Sequence, residues 1–230
     1  MNLWNTILDI VFPKNCVACG KSGIDLCATC LSGCPPPERE NAKWIFSLYD
    51  YRHKSIKKAL WLLKYKNKKK LAGIFAEALY GRILEELSDL VVMENFNNAI
   101  LIPIPLSKKR YRERGYNQAE LLCEELIKIN NLRCLSADVA MRGGVDIKSE
   151  NNILIKPEDT KHQAHIENRL ERLRNIVGSF AIKKESVDKI KNKNIILIDD
   201  ITTTGATLNE AKKILKQSGA RKVIAFTVAH

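Results

Sequence analysis

Residues 195–207 read Ile-Ile-Leu-Ile-Asp-Asp-Ile-Thr-Thr-Thr-Gly-Ala-Thr, and this order decides the fold. Four apolar residues, three of them β-branched, describe a fully buried strand of a parallel sheet. Asp199 and Asp200 stand where that strand leaves the core, and Thr202, Thr203, Thr204, Gly205, Ala206 and Thr207 form a hydroxyl-rich turn. The apolar spacing of Leu208, Ala211, Ile214 and Leu215 then opens a helix that Gly219 ends. Strand, polar turn and helix N-terminus make a phosphate cradle. Backbone N–H groups and the positive end of the helix dipole face an anion, and threonine hydroxyls add donors. Gly205 lets the main chain come close and take a positive φ. An ordinary βα turn with a capping threonine would satisfy the same residues. A Walker B strand would need a Gly-x-x-x-x-Gly-Lys-Ser/Thr partner, and none occurs in the chain.

The spacing resembles the phosphoribosyl pyrophosphate (PRPP) signature of type I phosphoribosyltransferases: four hydrophobics, Asp-Asp/Glu, a hydrophobe, then x-Thr-Thr-Gly-x-Thr. That resemblance implies that Asp199 and Asp200 hold the ribose hydroxyls and a nearby Mg²⁺. Residues 203–207 would then wrap the 5′-phosphate.

At 230 residues and 45% hydrophobic content the chain suits one medium domain with an appendage. Its net charge of +12 suits an anionic partner: nucleic acid, a polyphosphate or an acidic membrane surface. A lysine-rich genomic composition is the competing explanation. The apolar runs are too short to span a bilayer, and the first residues lack the basic start and small-residue cleavage site of a secretory signal. A cytoplasmic location is expected, so the seven cysteines are read as thiols or metal ligands rather than disulfides.

Trp4, Ile7, Leu8 and Val11 describe a short amphipathic helix stopped by Pro13 and packed on its own protein. Cys16-x-x-Cys19 and Cys27-x-x-Cys30 follow, seven residues apart. Two such knuckles present four thiolates tetrahedrally to a structural Zn²⁺, which would supply most of the folding energy of so short a segment. A chance cluster or a redox pair is the alternative, and Cys34 is a spare thiol that could compete as a ligand. Pro35-Pro36-Pro37 begins a linker. The expected organisation is a helix and zinc-ribbon-like module over residues 1–40, then an α/β domain over 41–230.

In that second unit, residues 44–51 read as a strand-like start, and Ile56, Ala59, Leu60 and Leu63 mark a helix. The basic run of residues 64–70, with Tyr65 inside it, reads either as a phosphate- or base-binding strip or as a solvated turn. Residues 99–105 form a second buried strand ending Pro-Ile-Pro, followed at once by Lys108, Lys109, Arg110, Arg112 and Arg114. Ligands of open α/β sheets bind outside the carboxyl ends of strands, so these cations are candidates for pyrophosphate or nucleic-acid backbone. After an amphipathic helix to about Ile129, residues 132–141 read as a strand and 142–163 as a long aperiodic loop, a functional lid. A helix is expected around Ile166, Leu170 and Leu173, a short strand at 179–182, and a last strand at 223–228. Alternating strands and helices argue α/β with a parallel sheet.

Nearly the whole chain resembles the ComF family of bacterial competence-linked, phosphoribosyltransferase-like proteins. The resemblance is carried by Phe12-Pro13 with the two Cys-x-x-Cys pairs, by Leu63-Lys64-Tyr65 and by Pro103-Ile104-Pro105-Leu106. It continues in Arg112-x-Arg114-Gly115-Tyr116-Asn117-Gln118, in Thr160-x-x-Gln163 with Arg172, Asn175 and Phe180, and in the PRPP signature. Residues 142–160 are longer than the family's usual linker. His162 and His165 within that region therefore read as exposed loop rather than acid–base groups.

The resemblance implies a type I phosphoribosyltransferase-like parallel sheet with helices on both faces, a hood, and an N-terminal four-cysteine zinc module. It also implies a role in natural transformation, handling incoming single-stranded DNA beside a competence helicase. Three functions compete. One is a PRPP-binding DNA-uptake factor without turnover. Another is a Mg²⁺-dependent phosphoribosyltransferase of unknown acceptor, and the third a regulator of nucleotide-synthesis genes. Residue 2 is Asn and no glutaminase domain is expected, so glutamine is not the direct nitrogen source.

Overall fold

A computed structural model describes residues 15–38, 42–134, 147–157 and 178–230. The strands of the main sheet are β1 (Ile45–Tyr49), β2 (Ala99–Pro103), β3 (Ile147–Ser149), β6 (Asn194–Ile201) and β7 (Lys222–Ala229). All five run parallel, in the order β1-β7-β6-β2-β3. The short strands β4 (Leu154–Ile155) and β5 (Ala181–Ile182) pair antiparallel beside it. The helices are α1 (Ala28–Ser32), α2 (Lys54–Tyr65), α3 (Lys70–Glu94), α4 (Lys108–Arg114), α5 (Gln118–Cys134), α6 (Val187–Ile190) and α7 (Ala206–Gln217).

β6 lies between β7 and β2 and is buried on both faces, which is why its sequence runs apolar without alternation. Its odd and even residues serve different layers. Ile196 and Ile198 join α2, α3 and α5 in one core, while Ile195 and Leu197 join Leu208, Ala211 and Leu215 of α7 in the other. Helices thus cover both faces of the sheet. The apolar positions of α2 (Ile56, Ala59, Leu60 and Leu63) are all buried in the first layer. So are Leu26 and Leu31 of the cysteine segment, which therefore borrows apolar support from α2 and α3.

Three expectations are corrected. Helix α5 does not stop at Ile129, because Asn130 is buried and accepts a hydrogen bond from the Tyr80 hydroxyl at 3.0 Å. The helix carries on to Cys134, so residues 132–134 are helical rather than the start of a strand, and residues 135–141 lie outside the described residues. The region 142–163 is no uniform loop, since Ile147–Ser149 pairs with β2 at the sheet edge and Leu154–Ile155 pairs with β5. The N-terminal helix, Gly143-Gly144, the helix around Ile166, and Thr160, His162, Gln163, His165, Arg172 and Asn175 also lie outside the described residues.

Candidate functional site

Asp199 and Asp200 fall in the last three residues of β6, at the carboxyl edge of the sheet. The backbone N–H of Asp200 donates to Asp199 Oδ1 at 2.8 Å. Burial, then the neighbouring Asp200 carboxylate, push the Asp199 carboxyl well above the ordinary range. Asp200 is buried, and Lys64 Nζ lies 2.9 Å from its Oδ2. Two carboxylates at a strand end are the hard oxygen donors that Mg²⁺ takes, so this pair fits the ion that the sequence resemblance implies.

The turn that follows is anchored at both ends. Thr202 is buried and its N–H donates to the Ala229 carbonyl at 3.0 Å, while His230 Nε2 lies 2.9 Å from the Thr203 carbonyl. Gly205 takes φ +71°, and a Cβ there would stand 3.2 Å from Ile45 Cδ1. The requirement for glycine is therefore both conformational and steric. Gly205 occupies the N-cap of α7 and makes no side-chain cap itself, while the exposed Thr204 accepts from the Ala206 N–H at 3.4 Å and Thr203 lies exposed beside it. Ala206 and Thr207 form the first turn of α7. N–H groups at a helix start beside threonine hydroxyls have the chemistry to receive an anion.

A cavity of about 260 Å³ adjoins Thr203 and is lined by Pro37, Glu38, Asp50, Tyr51, Arg52 and His230. Arg52 is clamped by Asp50 at 2.6 Å and Glu38 at 2.5 Å, and its hydrogen bonds hold the Asp50 carboxyl down to about 2. No motif marked these residues. Asp50, Tyr51, Arg52 and His230 converge because β1 and β7 end side by side, and Pro37 and Glu38 come in from the linker after the cysteines.

The two basic runs meet on the surface. Lys108, Lys109, Arg110 and Arg112 lie on the exposed helix α4, whose N-cap Ser107 accepts from the Arg110 N–H. Arg114 turns inward, donating to Gln118 Oε1 at 2.8 Å and to the Tyr65 hydroxyl at 3.3 Å, with its guanidinium 5.1 Å from the Tyr65 ring centre. Lys69 lies 4.6 Å from the Tyr116 ring centre and Lys66 5.3 Å from that of Trp61. Residues 66–69 are indeed a turn between helices, yet it is a turn whose cations stack on aromatic rings. Trp61, Tyr65 and Tyr111 remain about half exposed. Gly115-Tyr116-Asn117-Gln118, by contrast, works as a lock. The Tyr116 hydroxyl donates to the Leu63 carbonyl, and Asn117 Nδ2 donates to the Ile104 carbonyl at 3.0 Å.

The four thiols Cys16, Cys19, Cys27 and Cys30 lie within 4.8 Å of one another, with Sγ–Sγ separations of 3.7 Å for Cys16–Cys27 and 3.8 Å for Cys19–Cys27. Four sulfurs about 2.3 Å from a tetrahedral Zn²⁺ would stand roughly 3.8 Å apart, so the residues fit the ion. Burial alone would raise the Cys16 thiol, but N–H groups of the surrounding turn bring it down to about 6, while hydrogen bonds with Cys27 and Cys19 push Cys30 up to about 12. Cys34 stands outside the cluster, its thiol directed at the Cys30 carbonyl at 3.2 Å.

A family model described as a phosphoribosyl transferase domain matches residues 156–230. Competence protein F of Haemophilus influenzae is 30% identical over 129 residues, 56% of this chain and 49% of that protein. Competence protein ComFC of Bacillus subtilis is 36% identical over 130 residues, 56% of this chain and 43% of that protein. Over that stretch the chain is similar to competence proteins of the ComF kind. It spans about half the length of these ComF relatives. DNA utilization protein YhgH of Salmonella typhimurium is 27% identical over 202 residues, 86% of this chain and 74% of that protein. A hypoxanthine phosphoribosyltransferase from Trypanosoma cruzi is 12% identical, with a TM-score of 0.39 over 69% of this chain and 67% of that one, too loose a likeness to carry an argument. The fold is a type I phosphoribosyltransferase-like parallel sheet with helices on both faces, joined to a cysteine cluster able to hold a metal. No helix among the described residues is long and apolar enough to cross a membrane.

Proposed function

We propose that this chain binds PRPP or a related phosphoribosyl ligand with Mg²⁺ and handles single-stranded DNA during uptake, with a structural Zn²⁺ on the four cysteines. In the ligand pocket Asp199 and Asp200 hold the ribose side, and residues 202–207 with the α7 N-terminus hold the 5′-phosphate. Mg²⁺, when bound, would neutralise pyrophosphate charge. The DNA reading is carried by one observation: Tyr65 of the first basic run meets Arg114 of the second. Exposed aromatics beside cations at a sheet's carboxyl edge offer stacking platforms and phosphate contacts together, the combination single strands require. The names of the competence and DNA utilization relatives agree with this role. Titrating oligo-dT at several salt concentrations tests it, and binding indifferent to both salt and Tyr65 would refute it.

The cavity beside Thr203 favours a second reading, Mg²⁺-dependent phosphoribosyl transfer. An acceptor seated against Tyr51, Arg52 and His230 would attack ribose C1. The C1–O bond would break through an oxocarbenium-like state and pyrophosphate would leave with the electron pair, while the acceptor loses its proton. Release of pyrophosphate from PRPP with a panel of acceptors separates turnover from binding alone.

A further inference from the structure

The acidic pair already has a cation. Lys64 approaches Asp200 from the last turn of α2, and the two side chains are only 16% and 10% exposed. That turn is fixed from outside, because the Tyr116 hydroxyl donates to the carbonyl of Leu63, the residue before. Although Nζ and Oδ2 are 2.9 Å apart, Oδ2 receives no aligned hydrogen bond among the described residues. Their attraction is therefore coulombic, and the oxygen keeps its coordinating capacity. Asp199, one residue before, spends one oxygen on the Asp200 N–H.

A free divalent ion reaching this pair would have to expel an ammonium that has little water around it and that also attracts the Asp199 carboxylate. Two like-charged groups would then be forced together at low effective dielectric. An ion that arrives bound to pyrophosphate brings with it the phosphate oxygens that can receive Lys64.

We propose that Lys64 is a displaceable internal stand-in for the metal. It keeps Asp199 and Asp200 closed to free divalent ions and yields only to a metal already complexed by a phosphoribosyl pyrophosphate, so the two bind together rather than metal first. This rests on the phosphoribosyl reading of the pocket.

The test is Mn²⁺ binding without PRPP, followed by the electron paramagnetic resonance signal of free Mn²⁺, on the parent, Lys64→Met and Lys64→Arg, each checked for folding by its melting temperature. Parent and Lys64→Arg should bind Mn²⁺ weakly, and Lys64→Met about tenfold more tightly or better. Calorimetry with PRPP and Mg²⁺ runs alongside on the parent and Lys64→Met. Equal Mn²⁺ affinity in parent and Lys64→Met, with PRPP binding intact, overturns the role of Lys64. Tight Mn²⁺ binding by the parent alone does so even if Lys64→Met fails to fold. If neither protein takes PRPP, the phosphoribosyl reading fails and this inference falls with it.

Discussion

Lys68, in the turn between α2 and α3, places its Nζ 3.0 Å from Oδ1 of Asp25, a buried carboxylate of the cysteine segment. The basic turn and the cysteine segment are therefore tied together. Purified protein is expected to hold one Zn²⁺ per chain, and Cys19→Ser to lose it. Metal removal should increase hydrogen exchange at residues 66–70 as well as 15–34, since Asp25 would lose its fixed position. Metal analysis finding no zinc in protein never exposed to chelator would end the idea.

Asp199→Asn together with Asp200→Asn should abolish PRPP binding and leave the sheet folded. Isothermal titration with Mg²⁺ present measures the first, and circular dichroism the second. Unchanged affinity in the double variant would contradict the placement of the ribose.

Asp199→Asn alone should make the ligand-free protein more stable, and increasingly so as pH rises. Burial and Asp200 raise its folded-state pKa above the unfolded value of about 3.9. The folded state therefore binds the proton more tightly, and stability falls as pH climbs from there through the raised pKa. Removing one like charge is worth about 1 kcal/mol near water, roughly 2–4 °C in melting temperature for a chain of this size. Thermal scans from pH 5 to 9, a range of about four units, should show the gap between variant and parent widening. A gap that narrows would reverse the sign and refute the account.

Lys108, Lys109 and Arg110 are exposed on α4. If they touch DNA phosphates, changing all three to Ala should flatten the slope of log affinity against log salt by about 2 units. Tyr65→Ala should instead weaken oligo-dT binding by about 1–3 kcal/mol with less effect on the slope. A triple variant that keeps the parent's slope would assign those cations to pyrophosphate or to solvent.

The strand, turn and helix of residues 195–207 were legible because each local preference there agrees with the tertiary fold. Four cysteines at knuckle spacing were legible for a similar reason: their grouping needs few other residues. What stayed hidden depends on distant neighbours. Strand β3 is three residues long, too short to show a period. The helix expected to end near Ile129 runs on because the Tyr80 hydroxyl on α3 satisfies the buried Asn130 inside α5. Lys64 read as one more cation in a basic run, and nothing within that run signals a carboxylate on β6. The lining of the cavity beside Thr203 comes from the linker after the cysteines and from two strand ends.

The sheet also sets a timetable. Strand β1 pairs with β7, and Ser47 Oγ lies 2.7 Å from Thr227 Oγ1 across a separation of 180 residues. On the ribosome, β1 and the cysteine segment emerge long before the strand that will fix them in place. Until β7 arrives, β1 is an unpaired edge and the core layer that α2 joins lacks Phe226 and Val228. A metal captured by the four cysteines would not have to wait for β7. It can give the nascent N-terminal part an early fixed point and shorten the interval in which an open strand edge is exposed to other chains.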